Sequence, residues 1–181
     1  MSQGYKVGDE NEVYFTTCTV VDWIDVFTRP EYKYIITDSL NYCIKNKGLD
    51  VFAWVLMTNH LHLLARARKG TALTHIMRDF KKFTSKRLSE EILEIGESRR
   101  DWMLDRFDFL ARKTQRAENY KVWRDGFHPL LMQYPDWIEQ RINYIHQNPV
   151  LQEIVTRPED YKFSSAVDYS GEKGIVNVVL V

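Results

Sequence analysis

The chain has 181 residues, of which 44% are hydrophobic and 13% aromatic, so we expect one domain over residues 1–181 with one sizeable core. The 25 Lys and Arg residues balance 25 Asp and Glu residues, which would argue against a nucleic-acid-binding protein if the charges were evenly spread. No apolar run reaches the length of a membrane span and the start of the chain lacks a signal-peptide core, so a cytoplasmic protein with no membrane partner is expected.

The charges are in fact unevenly spread. Residues 66–87 contain a single acid, Asp79, and eight basic residues: Arg66, Arg68, Lys69, Arg78, Lys81, Lys82, Lys86 and Arg87. The balancing acids lie elsewhere, at Asp9, Glu10 and Glu12 and from Glu90 to Asp105. This local positive patch is compatible with a polyanionic ligand.

The first third of the chain predicts two strands around one helix. Residues 12–21 are rich in β-branched and aromatic side chains, which indicates a first strand. Pro30 suits a first helical turn, and apolar residues recur at helical spacing from there to Gly48, a plausible helix stop. Residues 50–57 then predict a second strand, and the tight turn at 58–59 predicts a hairpin with residues 59–67.

The third strand carries two histidines, His60 and His62, one residue apart. Since side chains alternate along a strand, both rings should lie on one face, roughly 7 Å apart at their Cα atoms, a distance that one metal ion can span. Leu61 and Leu63 then face the opposite side, which suits a sheet packed on helices. The alternative is that both are ordinary half-buried side chains, since His-x-His alone is a weak motif.

The basic segment predicts a helix that Thr71 can cap. Its apolar stripe is expected to consist of Leu73, Ile76, Met77, Phe80 and Phe83. Arg78, Lys81 and Lys82 lie off the centre of that stripe, where they form either a solvated face or contacts to a phosphate backbone. Residues 90–118 predict further helix, and residues 121–132 predict strand-like flanks around a turn at Asp125-Gly126.

A last helix begins at Pro135, within a segment 135–181 that also carries the C-terminal tail. Three isoleucines define its apolar face, and Tyr144 falls roughly 120° from the middle of that face, on a side shared with Arg141 and Asn148. Pro149 is expected to end the helix. The alternative is an amphipathic tyrosine beside an Asn-Pro helix end.

Together these residues suggest a phosphodiester-cleaving site. The imidazoles of His60 and His62 and the amide oxygen of Asn148 could bind a divalent cation, and Tyr144 lies one helical turn before the amide. A tyrosine with a pKa near 10 is a poor nucleophile, so help from the cation or from Arg141 is needed. Mixed nitrogen and oxygen ligands suit Mn²⁺ or Mg²⁺ better than a structural zinc ion.

Several segments resemble one known family in the same order. Val-Leu-Met-Thr-Asn-His-Leu-His-Leu-Leu at 55–64 resembles the histidine motif (HUH, with U apolar) of single-tyrosine transposases. Four further segments of the chain resemble segments of the REP-associated branch of these transposases. They are residues 77–84, residues 123–128, Tyr-Ile-His-Gln-Asn-Pro-Val at 144–150 and residues 157–165. The resemblance runs from the first strand to about Tyr169. One departure is Thr58, where the family usually has proline, which leaves the hairpin less rigid but removes no ligand.

The resemblance implies an α+β fold with a ferredoxin-like antiparallel sheet of about four to five strands, flanked by helices. It implies metal-dependent cleavage and rejoining of single-stranded or hairpin DNA. His60 and His62 match the metal ligands, Tyr144 matches the nucleophile that becomes 5′-phosphotyrosyl, and Asn148 matches the position that completes or supports the metal site. In related transposases a homodimer partner can supply the tyrosine helix, so cis and trans arrangements both stay open.

Two rival functions remain. One is a non-catalytic nucleic-acid-binding module on the same fold, in which the sheet face and the basic helix hold a strand without cutting it. The other is a metal-dependent hydrolase that uses water, in which Tyr144 would not be needed for turnover.

Overall fold

A four-stranded antiparallel sheet forms the centre of the molecule, seen in a computed structural model that describes residues 11–115 and 120–181. The strands are β1 (Tyr14–Thr19), β2 (Leu49–Leu56), β3 (His60–Ala67) and β4 (Leu130–Leu131), and their order across the sheet is β2-β3-β1-β4. The predicted α+β class with a helix-flanked antiparallel sheet is confirmed.

Five helices accompany the sheet within the described ranges: α1 (Pro30–Asn46), α2 (Leu73–Glu94), α3 (Arg100–Thr114), α4 (Pro135–Leu151) and the short α5 (Ala166–Tyr169). Single 3₁₀ turns lie at Val21–Trp23 and Pro158–Asp160. As predicted, α1 begins at its proline and ends just before Gly48, whose φ of 74° suits glycine. None of the helices in the described part of the chain is both long and apolar enough to cross a bilayer.

The register of β1 against β3 assigns side chains to the two faces of the sheet. Thr17 lies opposite His62 and Thr19 opposite His60, so these four residues share one face, which we call the histidine face. Cys18 lies opposite Leu61 on the other face. Because both faces are buried, the strands need packing partners on each side.

Different helices cover the two faces. α4 packs on β2 and β3, and contacts from its Tyr144 to Phe15 and His62 place it on the histidine face. α1 and α2 pack on each other and on β2 and β3. Burial raises the pKa of the Cys18 thiol, and the positive charge of Lys81 in α2 partly offsets that rise. Lys81 therefore lies near Cys18, which places α2 beside the face of the sheet opposite the histidine face.

The buried carboxylate of Glu97 organises the loop between α2 and α3. It accepts hydrogen bonds from Arg29 at 3.1 Å, from the hydroxyl of Tyr32 at 3.3 Å and from the backbone and side chain of Arg99 at 3.1 and 3.2 Å. Burial alone would raise the pKa of Glu97, but the hydrogen bonds from Arg99 and Arg29 outweigh it and lower the pKa to about 2. The start of α1 is thereby held against the start of α3.

Glu97→Gln is expected to lower the free energy of unfolding by about 2 kcal/mol at pH 7, because two arginines lose a charged acceptor. Since the pKa of Glu97 is lower in the folded chain than its ordinary value of 4.5, this stabilisation is present above about pH 4.5 and is lost as the pH falls through about 2. Urea unfolding of both proteins from pH 7 to pH 2.5 measures the difference. A constant difference across that range would contradict the assignment.

Two expectations for α2 are wrong. Thr71 does not cap the helix, because its hydroxyl donates to the Arg68 carbonyl and α2 begins two residues later. Phe83 is exposed, and Thr84 is buried in its place. Thr84 can be buried because its hydroxyl donates to the Phe80 carbonyl and accepts the indole N–H of Trp123, so its polar atom is satisfied.

The predicted end of the last helix is also wrong. α4 runs through Pro149 to Leu151 instead of ending before the proline. The proline lies in the final turn, where the carbonyls of residues 148–150 all accept hydrogen bonds. The N–H of residue 152 donates to the carbonyl of residue 148, that of residue 153 to residue 150, and that of residue 154 to residue 149. Pro149 has no N–H to donate to the Ile145 carbonyl, but these bonds close the turn that follows it.

Two other stretches are only partly as predicted. The helical region expected at 90–118 is split, because α2 ends at Glu94 and α3 covers Arg100–Thr114; residues 116–118 lie outside the described residues. In the stretch 121–132, only β4 forms a strand, and Trp123 forms an isolated bridge with Val20.

Two of the acids that balance the basic segment, Asp9 and Glu10, also lie outside the described residues.

Candidate active site

The two histidines lie side by side at the start of β3. Their ring centroids are 4.6 Å apart, with an angle of 69° between the planes, and both side chains are buried. Leu61 and Leu63 are fully buried on the opposite face, as the alternation predicts.

Hydrogen bonds through Asn59 determine which nitrogen of His60 carries a proton. The Asn59 amide nitrogen donates to the Trp23 carbonyl at 3.3 Å and to Asp25 Oδ1 at 3.0 Å, and both partners only accept. The Asn59 amide oxygen therefore faces His60 Nδ1, at 2.7 Å, and that nitrogen must donate. The neutral ring then keeps the lone pair of Nε2 for a ligand, the arrangement that metal-binding histidines use.

His62 is held by β1. Its Nδ1 lies 2.8 Å from the Thr17 hydroxyl oxygen, and its ring stacks on Phe15 with centroids 5.5 Å apart and planes 27° apart. The side chain is thus fixed through one nitrogen and one ring face. Its Nε2 is left for another partner.

Both imidazoles are neutral at neutral pH. Burial lowers the pKa of His60. The pKa of His62 is lowered to about 3, mainly by burial and further by the nearby charges of His60 and Arg141. A neutral imidazole has the lone pair that a metal requires, so the pair fits a divalent cation without first losing protons.

Tyr144 lies against this pair in the same chain. Its ring centroid is 5.3 Å from that of His62 and 6.0 Å from that of Phe15. Ile142 and Ile145 on either side point into the core, whereas Tyr144 is 42% exposed, as the helical phase predicts. The phenol is therefore open to a large ligand while touching a histidine.

Arg141 lies beside the phenol. Its guanidinium carbon is 4.9 Å from the ring centre of Phe15 and 5.7 Å from that of Tyr144. A fixed positive charge there attracts a phosphate that approaches the phenol oxygen. The predicted neighbour is thus close enough to assist Tyr144.

Asn148 follows one turn later and is buried. Its amide nitrogen donates to the Tyr144 carbonyl at 2.9 Å, which leaves its amide oxygen for a different partner. Within the described ranges no group of three or more His, Cys, Asp or Glu residues could hold a metal, so a ligand beyond the His60–His62 pair would be of another type, such as this amide oxygen.

The basic residues of α2 do not join this site. Arg78 pairs with Asp79 at 2.9 Å. The Lys81 ammonium donates to the carbonyls of Arg124 and Gly126 at 3.4 and 3.0 Å, which ties α2 to that loop. Lys82, like these two, belongs to the helix beside the opposite face of the sheet. Any contact that they make to a nucleic acid would be away from the histidine pair.

Sequence reasoning misses the residues that hold the histidines, namely Phe15, Thr17 and Asn59. The sequence pattern places Asn59 only in a tight turn. Its position directly before His60 is the available signal, because an amide next to a ligating ring can hold it. Nothing local indicates Phe15 and Thr17, since their role depends on the strand register.

Comparisons with known proteins show which family the chain matches. The family model described as "Transposase IS200 like" matches residues 24–148, a range that contains both histidines, Tyr144 and Asn148. No curated protein sequence matches the chain.

Two solved structures are similar to the chain. One is a REP-associated tyrosine transposase bound to a REP hairpin, with a TM-score of 0.66 and 16% identity, covering 99% of this chain and 92% of that chain. This likeness supports the fold. The other is described as a transposase from Deinococcus radiodurans, with 16% identity and coverage of 81% of this chain and 98% of that chain, but its TM-score of 0.38 carries no argument. From the family match over most of its length, the chain belongs to the family of IS200-like transposases.

Proposed function

We propose that this transposase is a metal-dependent enzyme that cuts and rejoins single-stranded or hairpin DNA through a 5′-phosphotyrosine at Tyr144. The observation that carries the proposal is the contact between the exposed phenol ring of Tyr144 and the buried ring of His62, at 5.3 Å between centroids. A candidate nucleophile and a candidate metal ligand from distant parts of the chain are therefore neighbours at one surface.

The proposed cation is Mg²⁺ or Mn²⁺, held by His60, His62 and the amide oxygen of Asn148. The support is chemical: two neutral rings with their Nδ1 atoms already engaged, and an amide whose nitrogen is already engaged. When bound, such an ion supplies Lewis-acid polarisation of a phosphate oxygen.

The protein's own groups carry the covalent step. The Tyr144 hydroxyl oxygen attacks the phosphorus, the bond from phosphorus to the 3′ oxygen breaks, and the strand leaves with a 3′ hydroxyl. The phenol proton passes to solvent, which the exposure of Tyr144 permits, and water supplies the proton of the leaving hydroxyl. Arg141 stabilises the developing negative charge on the phenol oxygen and the phosphate. Attack by a 3′ hydroxyl on the phosphotyrosine reverses these steps and reseals DNA.

The DNA partner is proposed from the family and from local charge. A relative of the same fold was solved with a REP hairpin. On this chain, Arg141 would contact the strand at the site, while Arg78, Lys81 and Lys82 would contact phosphates elsewhere on the same DNA.

Replacing basic residues of α2 should lower the salt dependence of DNA binding. For single-stranded DNA, removing one basic side chain from a phosphate reduces the slope of log K against log salt by about 0.7, so the double variant Arg78→Gln, Lys82→Gln should show about twice that reduction. Fluorescence anisotropy from low to moderate salt measures the slope. Lys173→Gln, an exposed lysine of the C-terminal tail, is the control. An unchanged slope in the double variant would remove these residues from the interface.

Incubation with hairpin DNA and Mn²⁺, followed by a denaturing gel, tests the proposed function. A covalent protein–DNA adduct supports the enzyme. Tight binding without an adduct across varied substrates supports a binding module on the same fold instead. Cleavage that persists in Tyr144→Phe supports a hydrolase that uses water.

A further inference from the structure

An open cleft of about 520 Å³ lies between the Val21–Trp23 turn and the start of α3. Trp23 lines it from the turn and Trp102 from the first turn of α3. Each of these side chains is 57% exposed, although tryptophan is usually among the most buried residues. The volume is within the range that holds a small planar ligand.

The backbone that presents Trp23 is strained. Asp22 and Trp23 have φ angles of 52° and 57°, so two successive residues with side chains occupy the left-handed region. A bulky residue there is a rare and costly conformation. The exposed ring of Trp23 gains little burial in return. Such strain at an exposed aromatic side chain indicates a binding role, because packing does not account for it.

Three arginines and two aspartates carry charge at the cleft. Asp22 is paired with Arg106, whereas Asp25 accepts from the neutral Asn59 amide at 3.0 Å and keeps its negative charge. The exposed guanidinium of Arg124 lies over the Trp23 ring, 5.8 Å from its centre. A ring face beside a cation suits a base and its phosphate together.

Hydrogen bonds of one side chain link the cleft to His60. One amide group, that of Asn59, donates to the Trp23 carbonyl and to Asp25, while its oxygen accepts from His60. The side chain of Asn59 thus bonds both to residues of the cleft and to a proposed metal ligand.

We infer that the Trp23–Trp102 cleft binds an unpaired base of single-stranded DNA close to the scissile phosphate. The inference rests on the proposed function, since it takes the histidine pair as the cleavage site. A single-stranded base is the fitting occupant because its flat face can stack on an exposed indole and its phosphate can meet Arg124. A paired base has its faces covered by its neighbours.

Binding to a hairpin oligonucleotide with a thymine flank, carrying 2-aminopurine at each flank position in turn, tests this inference. Chelator in the buffer keeps cleavage out of the measurement. With the unaltered protein, one or two adjacent positions should show quenched fluorescence. Trp23→Leu and Trp102→Leu should each remove that quenching and raise Kd about ten-fold, the effect of losing one base–aromatic stack.

Three variants separate stacking from general damage. Trp23→Phe keeps a ring and should retain most of the binding. Tyr42→Leu removes an aromatic side chain of equal exposure, 58%, from α1 and should leave Kd unchanged. Trp23→Gly relieves the left-handed strain, so it should keep or raise the melting temperature while it weakens binding. A purely structural tryptophan would instead lower the melting temperature when removed.

The outcomes distinguish this inference from the proposed chemistry. Loss of quenching in the tryptophan variants supports the cleft whether or not Tyr144 forms an adduct. Unchanged quenching and Kd in those variants, or no quenching at any position with the unaltered protein, overturn the cleft even where the adduct forms.

Discussion

Tyr144→Phe should abolish the covalent protein–DNA adduct and slow strand cleavage by at least about 10³-fold, because the nucleophilic oxygen is lost. The phenyl ring keeps the packing of Tyr144 against Phe15 and His62, so the melting temperature should stay unchanged. Single-turnover cleavage of a labelled hairpin oligonucleotide, with the adduct resolved on a denaturing gel, measures both quantities.

The matched control for that experiment is Tyr134→Phe. Tyr134 precedes the same helix and is also exposed, but it packs on Trp137 rather than on the histidines. It should cleave at the rate of the unaltered protein. An adduct that survives in Tyr144→Phe would show that another side chain is the nucleophile.

Tyr161 is a poor alternative nucleophile, because its hydroxyl is buried and donates to the Leu56 carbonyl at 2.7 Å. Burial raises its pKa to about 12.

Removing the metal, or either histidine, should have the second largest effect. A chelator should stop cleavage, and Mn²⁺ or Mg²⁺ should restore it. His60→Gln and His62→Gln should each weaken Mn²⁺ binding and cleavage by at least about 10²-fold, since loss of an outer-sphere partner alone costs roughly 10- to 100-fold. Glutamine is chosen because both sites are buried and an alanine would leave a cavity.

Isothermal titration calorimetry with Mn²⁺ measures the affinity separately from cleavage. His75→Gln is the control, because His75 is an exposed histidine of α2 away from the pair. Full Mn²⁺ affinity in the His60→Gln, His62→Gln double variant would contradict the proposed ligand set. Full affinity combined with lost cleavage would assign the histidines a different role in the chemistry.

Periodicity within single segments predicts two features of the site that the structure confirms. Alternation along β3 places His60 and His62 together on one face, and the helical phase of α4 turns Tyr144 away from its isoleucines. Both are properties of one continuous segment.

The errors occur where a local pattern competes with tertiary packing. Phe83 has the spacing of a core residue, yet Thr84 takes the buried position because the indole of Trp123 offers its hydroxyl a partner. Pro149 resembles a helix end, yet α4 continues to Leu151 because the backbone N–H groups that follow donate to its last carbonyls. Neither arrangement can be identified from the residue pattern alone.

The amino-acid sequence by itself determined the histidine pair, the turn that precedes it and the outward direction of Tyr144, because strand and helix periods depend only on the local backbone. Only the tertiary structure decided that Tyr144 meets His62, and that the basic face of α2 lies across the sheet from both. It also decided that Asn59 joins His60 to the cleft at Trp23. These contacts join segments far apart in the chain, so they follow from strand order and from which face each helix covers, which no short stretch of sequence specifies.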